Sequence, residues 1–253
     1  MIDLVHRGSI AICRIAHGKA NALDIELCGG IMAALETCRD SADAALVITG
    51  QGRMFSAGVD LVRLVDDGPD YVRTFLPALT AAFEAVFAFP KPVVAAVNGH
   101  AIAGGCILAC AADHRLMARG IGRIGIPELR VGVPFPSVPL EIVRFAAPQH
   151  VQALVYGGAT FTPEEAMERG IVDAVVDPGT LVDAAVAAAE GLAALPAGVF
   201  ELTKRQVREP ALQRIRDGAK FEEEIVRLWT APRTLAFIRD YIARTFKNGE
   251  RGT

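Results

Sequence analysis

The chain has 253 residues, a length that suits one large domain, or one domain with a small appendage, and that allows a sizeable core. Its 26 basic and 29 acidic residues give a formal charge of −3, so the charge balance indicates no nucleic-acid partner. The first residues lack a signal-peptide pattern, and no apolar run reaches the roughly 18 residues that predict a membrane span. The five cysteines form no CxxC pair, which predicts reduced thiols in a cytoplasmic protein. Because no membrane span is predicted, we also expect no membrane partner.

The first half of the sequence alternates strand and helix patterns. Strands rich in Ile and Val are predicted at residues 9–16 and 44–49, with a helix over 25–38 between them. An amphipathic helix over 71–89 ends where two prolines forbid its continuation, and a continuous apolar run at 92–97 predicts a strand buried on both faces. The repeated strand–helix–strand order predicts an α/β fold with right-handed crossovers.

The second half becomes helical. A helix is predicted to begin after Thr162, because Thr162 can cap it and Glu165 stands where a capping box places its carboxylate. After a last strand at 171–176 the pattern is helical only, with helices predicted at 181–195, 198–208, 211–229 and 232–247. We therefore predict a core over residues 1–195, followed by a C-terminal helical region, 196–253, that covers a site or packs on a neighbouring subunit.

Two glycine-containing turns follow predicted strands, one in residues 54–61 (MFSAGVDL) and one in 93–109 (VVAAVNGHAIAGGCILA). The Gly104-Gly105 pair at a helix start lets a ligand approach bare main chain, where unpaired N–H groups favour negative charge. Such a turn can hold a phosphate or a developing oxyanion. Because two N–H donors from separate loops can converge on one carbonyl oxygen, the pair of turns favours an oxyanion.

Nucleotide-binding loops fit the same turns less well. Gly99 and Gly104 have the spacing of a phosphate loop, but Cys106 stands where a Ser or Thr would contact Mg²⁺. The turn at Gly50 and Gly52 follows a strand, as in a dinucleotide fingerprint, but it lacks the third glycine and a clear helix. Neither loop therefore predicts a nucleotide site.

Nucleophile and metal sites are also disfavoured. Ser56 resembles the serine of a nucleophile elbow, but Met54 replaces the first glycine of that motif. Cys106 and Cys110 share one helical face, but small buried thiols on a core helix are far commoner than metal ligands, so no metal is expected. Trp229 is most simply a packing residue.

Four segments in chain order carry a family resemblance: FSAGVDL, KPVVAAVNGHAIAGGCILA, IPELRVGVPF and GATFTPEEAMERGIVDAVV. They resemble the crotonase superfamily, the enoyl-CoA hydratase/isomerase family, over about residues 1–190. The resemblance implies a spiral of ββα turns with a C-terminal helical region, assembled as homotrimers or dimers of trimers. It also implies a coenzyme A ester as the substrate and no separate cofactor.

The resemblance also assigns binding residues. It places the thioester carbonyl between the main-chain amides of Val59 and Gly104, which would stabilise an enolate next to the thioester. It implies a surface for the coenzyme formed by Lys19, Ala20, Ala22, Leu23, Ala57, Gly58 and Asp60.

The acid–base residues discriminate within the family. Hydratases use two glutamates to hold and activate water; Glu128 matches one of them, whereas Ile107 stands at the position of the other. A lone glutamate is typical of the Δ3,Δ2-enoyl-CoA isomerases, in which it carries a proton from C2 to C4. We therefore expect an isomerase with Glu128 as its base and Ile107 in the cavity wall, where Ile107→Glu would raise hydration. A hydratase, a thioesterase or decarboxylase of the same superfamily, and an acyl-CoA binder with little turnover are the alternatives.

Overall fold

The computed structural model describes residues 2–249, and for the last four of these only the main chain. The strands are β1 (Ile2–Arg7), β2 (Ile10–Ile15), β3 (Ala45–Gly50), β4 (Met54–Ser56), β5 (Val93–Val97), β6 (His100–Ile102), β7 (His114–Ala118), β8 (Ile124–Gly125), β9 (Thr160–Phe161) and β10 (Ala174–Val176). The helices are α1 (Ile25–Asp40), α2 (Leu61–Phe87), α3 (Gly104–Cys110), α4 (Glu128–Val131), α5 (Ser137–Ala146), α6 (Val151–Gly157), α7 (Pro163–Glu168), α8 (Leu181–Ala193), α9 (Ala197–Gly218), α10 (Glu222–Trp229) and α11 (Pro232–Gly249).

Two sheets share the strands. The larger sheet has the order β1-β2-β3-β5-β7-β10, with β1 antiparallel to β2 and every other neighbouring pair parallel. The smaller sheet has the order β4-β6-β8-β9, with only β9 antiparallel to its neighbour. The successive ββα turns β3-β4-α2, β5-β6-α3 and β7-β8-α4 each give one strand to each sheet. The predicted α/β class, with a spiral ββα core and C-terminal helices, is confirmed.

The central strands β3 and β5 are buried along their whole length. On one face of the large sheet they pack against α8, whose Leu181, Ala185 and Ala189 are buried there. On the other face they join the main core with α1, α2 and α3. Helices on both faces explain why these strands have continuous apolar sequences rather than alternating ones.

A buried ion cluster fastens α9 to the core. The Nζ of Lys204 lies 2.6 Å from one carboxylate oxygen of Asp113, and Arg208 donates to the other at 2.6 Å. Arg208 also donates to the carbonyl oxygen of Ala111 at 3.0 Å. Both cationic side chains are at most 6% exposed, so the cluster lies within the interface between α9 and the end of α3.

The C-terminal helices differ from their predicted boundaries. A break was predicted near Pro210, yet α9 continues through it to Gly218. Arg208 and Ala211, on either side of the proline, are both buried, and these tertiary contacts outweigh the local cost of a proline inside a helix. The end of the predicted region 196–253, residues 250–253, lies outside the described part of the chain.

Among residues 2–249, no single helix is both long and apolar enough to cross a membrane. The segments Pro178–Ala193 and Ala197–Trp229 are long and apolar enough only when taken together, and they are bent by 100° relative to each other. Over the same residues, no three His, Cys, Asp or Glu side chains gather in a way that could hold a metal ion.

Candidate active site

Two adjoining spaces lie between the spiral core and the C-terminal helices. The outer one is a groove of about 450 Å³. It is lined by His17, Gly18, Lys19, Ala20, Ala22, Asp24, Ala57, Val59, Asp60, Leu61, Val62, Tyr241, Ile242 and Thr245. The inner one is a cavity of about 130 Å³. It is lined by Ala57, Val59, Leu61, Ile102, Ala103, Pro127, Glu128, Val131, Val133, Trp229 and Tyr241. Four residues line both spaces, so the groove leads into the cavity past Val59.

The two predicted oxyanion segments meet at this junction. A Cβ built on Gly58 would lie 3.1 Å from the main-chain nitrogen of Gly104 and 2.7 Å from the carbonyl oxygen of Ile102. Gly58 also has a φ of 84°, a conformation that residues with side chains rarely adopt. A glycine is required here because it lets the turn before Val59 approach the start of α3 closely.

The start of α3 shows the same close packing. A Cβ on Gly105 would lie 2.9 Å from the Cβ of Ser56 and would also clash with the Ser56 carbonyl oxygen. The preceding residue, Ala103, has a φ of 52°, which is strained for a residue with a side chain. Its N–H donates to the carbonyl oxygen of Gly125 at 2.8 Å, so β8 holds this turn in place. The Gly104 N–H then stands at the first position of α3, where it has no acceptor within its own helix.

A short parallel bridge orients Val59. Leu23 donates its N–H to the carbonyl oxygen of Gly58 at 2.7 Å, and Asp60 donates its N–H to the carbonyl oxygen of Leu23 at 3.0 Å. These bonds hold the residues before and after Val59. Within the described residues, neither the Val59 N–H nor the Gly104 N–H donates to a main-chain carbonyl of another element. Val59 lines both spaces, whereas Gly104 is buried directly behind Gly58.

Asn21 ties the same loop to β4. Its side-chain amide donates to the carbonyl oxygen of Met54 at 2.9 Å, and its own carbonyl oxygen accepts from the Ser56 hydroxyl at 2.7 Å. The Ser56 oxygen in turn accepts from the N–H of Gly58 at 3.1 Å. Asn21 is 2% exposed and has a φ of 49°, a backbone geometry that asparagine tolerates better than most residues. The network fixes the main chain that leads to Val59.

Glu128 begins α4 and lies in the inner cavity. It is 8% exposed, and its Oε2 has no hydrogen-bond partner among the described residues. Burial away from water disfavours the charged form and raises the pKa of the carboxyl to about 8. The main-chain carbonyl oxygen of Glu128 accepts hydrogen bonds from the N–H groups of Gly132 and Val133 at 3.1 and 3.2 Å. These bonds attach the loop after α4 to the first residue of that helix. An unpartnered carboxyl with this pKa is suited to take up and return a proton near neutral pH.

The structure brings together most of the residues assigned from the resemblance. The predicted coenzyme residues on the groove wall are Lys19, Ala20, Ala22, Ala57 and Asp60. Leu23 and Gly58 are buried behind that wall, where Leu23 is 1% exposed and its side chain packs next to Gly104. Their contribution is to position the wall, rather than to form its surface.

The predicted place of Ile107 needs a correction. Its side chain is 2% exposed and belongs to the main core, and the residues that line the cavity do not include it. Ile107 lies one helical turn after Ala103, to which its N–H donates at 3.1 Å, and it is Ala103 that reaches the cavity wall. An Ile107→Glu substitution would therefore bury a carboxylate in apolar surroundings, which is expected to unfold the site before it could hold water.

Several site residues escaped the sequence analysis. The Nε2 of His17 lies 2.6 Å from a carboxylate oxygen of Asp24 in the groove, and Asp24 also caps α1 by accepting from the N–H of Leu27 at 2.7 Å. Trp229 and Tyr241, from α10 and α11, close the inner cavity. The His17–Asp24 spacing was available in the sequence, but the positions of Trp229 and Tyr241 depend on how the terminal helices fold back.

Comparisons with known proteins agree with this geometry. Residues 6–231 match the family model described as enoyl-CoA hydratase/isomerase. A putative enoyl-CoA hydratase from Thermus thermophilus is 32% identical over 205 residues, which cover 79% of this chain and 81% of that protein.

Solved structures give the same picture. A Mycobacterium tuberculosis protein, 32% identical, is described once as a probable enoyl-CoA hydratase, with a TM-score of 0.83 over 88% of this chain and 94% of that one. It is described a second time as an enoyl-CoA isomerase, with a TM-score of 0.79 over 87% and 96%. Human mitochondrial Δ3-Δ2-enoyl-CoA isomerase is 22% identical and shares the fold, with a TM-score of 0.92 over 98% of both chains.

The spiral fold, the paired glycine turns and the extent of these matches define the class of this protein. The chain belongs to the enoyl-CoA hydratase/isomerase family, which acts on acyl-CoA thioesters.

Proposed function

We propose that the protein is a Δ3,Δ2-enoyl-CoA isomerase in which Glu128 is the only acid–base residue. One observation carries the proposal: of the described residues that line the inner cavity, Glu128 alone has a carboxyl group. Eight of the others are aliphatic, the indole N–H of Trp229 is already bonded to Pro134, and Tyr241 has a hydroxyl group. Hydratases of the family hold and activate their water with two glutamates, whereas this wall supplies one carboxyl group, so the cavity favours a reaction that uses no water.

The coenzyme arm of the substrate would lie in the outer groove and the acyl chain in the inner cavity. The thioester carbonyl would then lie at the junction, where it accepts hydrogen bonds from the N–H groups of Val59 and Gly104. Glu128 removes a proton from C2, and the electron pair of that C–H bond delocalises into a dienolate whose negative charge rests largely on the thioester oxygen. Glu128 returns the proton at C4, which moves the double bond from C3–C4 to C2–C3 and regenerates the carboxylate.

A hydratase is the second candidate, because the Thermus thermophilus relative is described by that activity. Asp60, the carboxylate next to Val59, is the group that could replace the missing glutamate. Its carboxylate accepts the N–H of Arg63 at 3.0 Å as the cap of α2, which argues against a role in holding water. The absence of any Lys, Arg or His from the inner-cavity wall within residues 2–249 also disfavours decarboxylation of a carboxylated acyl group, which would need a cation.

The decisive variant is Glu128→Gln. It should lower kcat for conversion of a 3-enoyl-CoA to the 2-enoyl ester by about 10² to 10⁴-fold, the usual contribution of a general base. Binding of the ester, measured by calorimetry, should stay within about threefold, since the coenzyme contacts lie in the groove. Glu190→Gln on the exposed face of α8 is the matched control and should leave both quantities unchanged. Near-normal turnover by Glu128→Gln would refute the proposed role of Glu128.

We also propose that the protein works as a homotrimer or a dimer of trimers. Exposed apolar side chains on α9, namely Val199, Leu202 and Val207, support a subunit contact there. Light scattering on the purified protein should give three or six times the 26.8 kDa chain mass, and a monomer would contradict the assignment.

A further inference from the structure

We infer that the substrate carries a short, unsubstituted acyl chain of about four to six carbons, and that Trp229 sets this limit. The inference rests on the proposed function in one respect: the acyl chain must enter the cavity that holds Glu128. It rests further on the size of that cavity and on the hydrogen bond that holds Trp229 in its wall.

The cavity holds few atoms. Its volume is about 130 Å³. A protein cavity of about 150 Å³ holds one benzene molecule, so this cavity accommodates roughly five carbon groups. With the carbonyl carbon at Val59, an acyl chain of four to six carbons fills it, whereas a ten-carbon chain has nowhere to place its end.

Trp229 is a fixed part of the cavity wall. It is 3% exposed, and its indole N–H donates to the carbonyl oxygen of Pro134 at 2.9 Å. Pro134 follows Val133, which also lines the cavity and whose N–H is bonded to the carbonyl oxygen of Glu128. Hydrogen bonds therefore join the indole of Trp229 to the loop at Val133 and Pro134, and this loop to Glu128. Such a wall resists the displacement that a longer chain would require.

The opposite side of this loop is held as well. Gly132 has a φ of 91°, and a Cβ placed on it would lie 2.6 Å from the ring of Phe237 on α11. The loop after α4 therefore packs directly against the terminal helix at Phe237. Among the described residues, the cavity wall offers no cation, and its polar side chains are Glu128, Tyr241 and Trp229, whose N–H is already bonded to Pro134. Carboxylated acyl chains would therefore lose hydration without gaining a counter-charge.

The test compares 3-hexenoyl-CoA and 3-decenoyl-CoA. For the wild-type protein, kcat/KM should be at least about ten-fold higher for the six-carbon ester, because a single methylene without room costs about that factor. Trp229→Ala should reduce this preference at least ten-fold by opening this part of the cavity wall. Trp229→Phe is the matched control: it keeps an aromatic wall and should keep most of the preference. Equal turnover of both esters by the wild-type protein, or an unchanged preference in Trp229→Ala, would overturn the inference.

A binding series covers the case in which Trp229→Ala does not fold. Affinities of saturated acyl-CoA esters with four to twelve carbons for the wild-type protein should reach a maximum near six carbons and fall by about ten-fold or more at ten. If the affinities show this maximum but no 3-enoyl-CoA is isomerised, the chain-length limit holds and the proposed function fails. If affinity continues to rise with chain length, the limit fails whatever the reaction.

Discussion

Glu128 combines its proposed chemical role with a cost in stability, and both come from its burial. A carboxyl with a pKa of about 8 is protonated at neutral pH in the folded protein, although in the unfolded chain the same group has an ordinary pKa of 4.5. The folded state therefore holds a proton that the unfolded state releases between these two pH values. The same desolvation that adjusts the base also disfavours its charged form.

The pH dependence of turnover follows from the charge state of Glu128. Only the carboxylate can remove the C2 proton, so kcat should rise with pH through about 8 and level off above it. Initial rates of isomerisation between pH 6 and 10 measure this profile. A rate that is already constant from pH 6 upward would contradict a buried, desolvated base.

The stability of Glu128→Gln should depend on pH in a defined direction. Below pH 4.5 the wild-type carboxyl is protonated in both states, so the raised pKa carries no penalty. As the pH rises towards 8, wild-type stability falls, whereas the neutral glutamine is unaffected, so the variant should gain on the order of 3–5 kcal/mol relative to wild type. Urea unfolding of both proteins at pH 5 and pH 9 gives the comparison. If the difference in unfolding free energy between the two proteins does not widen with pH, the burial of Glu128 is contradicted.

The proposed oxyanion site depends on two turns, at Gly58 and at Gly105, whose close packing only glycine allows. Gly105 lets the first turn of α3 lie against Ser56, while the network of Asn21 and Ser56 holds the turn before Val59. The N–H groups of Val59 and Gly104 belong to turns that are distant in sequence. Their relative position is therefore set by packing between α3 and β4, and not by any side chain that contacts the substrate.

Gly105→Ala tests this packing. The added methyl group meets the main chain of Ser56, so α3 must shift, and a displacement of about 1 Å in a catalytic site costs roughly 10²-fold in kcat/KM. Gly29→Ala in α1 is the matched control, because nothing lies within 4 Å of its added Cβ. That substitution should keep activity and stabilise the helix by about 0.5–1 kcal/mol. Wild-type activity in Gly105→Ala would show that the close contact is not needed.

At the scale of the whole molecule, the C-terminal helices complete a site that the spiral core begins. Trp229 and Tyr241 form part of the cavity wall, and Ile242 and Thr245 line the groove. The ion cluster of Asp113, Lys204 and Arg208 attaches α9, the first of these long helices, to the core. Loss of this attachment is expected to affect stability first and the site second.

Asp113→Asn should destabilise the protein by about 3–5 kcal/mol, because it leaves two buried cations without a counter-charge. Asp183→Asn is the matched control: Asp183 pairs with Arg7 on the surface, where its side chain is 67% exposed, and the loss should stay below about 1 kcal/mol. Urea unfolding at pH 7 measures both. Equal stabilities of the two variants would contradict a structural role for the buried cluster.

The sequence predicted features that depend on local chemistry. The capping box of α7 is confirmed, with Thr162 and Glu165 exchanging hydrogen bonds of 2.8 and 3.2 Å, because a cap needs only neighbours in the chain. The buried strand at 92–97 is confirmed as β5 for the same kind of reason, since its continuous apolar run already indicates burial on both faces.

Features that depend on distant contacts were missed. Strands β4, β6 and β8 have two or three residues each, too few to show a period, and they exist because they pair with one another. Trp229 was predicted to be a packing residue, and its place in the cavity wall is set by the fold of α10 onto the loop at Pro134. Ile107 was assigned to the cavity by position in a motif, whereas the direction of its side chain depends on how α3 packs.

In the proposed reaction, one carboxyl in an apolar cavity moves a double bond and does not add water. The most direct measurement is the ratio of two rates for the same protein: conversion of 3-hexenoyl-CoA to 2-hexenoyl-CoA, and hydration of 2-hexenoyl-CoA to the 3-hydroxy ester, with products separated by chromatography and identified by mass. Since the second acid–base group is missing, isomerisation should exceed hydration by at least about 10²-fold. Rapid hydration with negligible isomerisation would contradict the claim and would require another group beside Glu128 to hold the water.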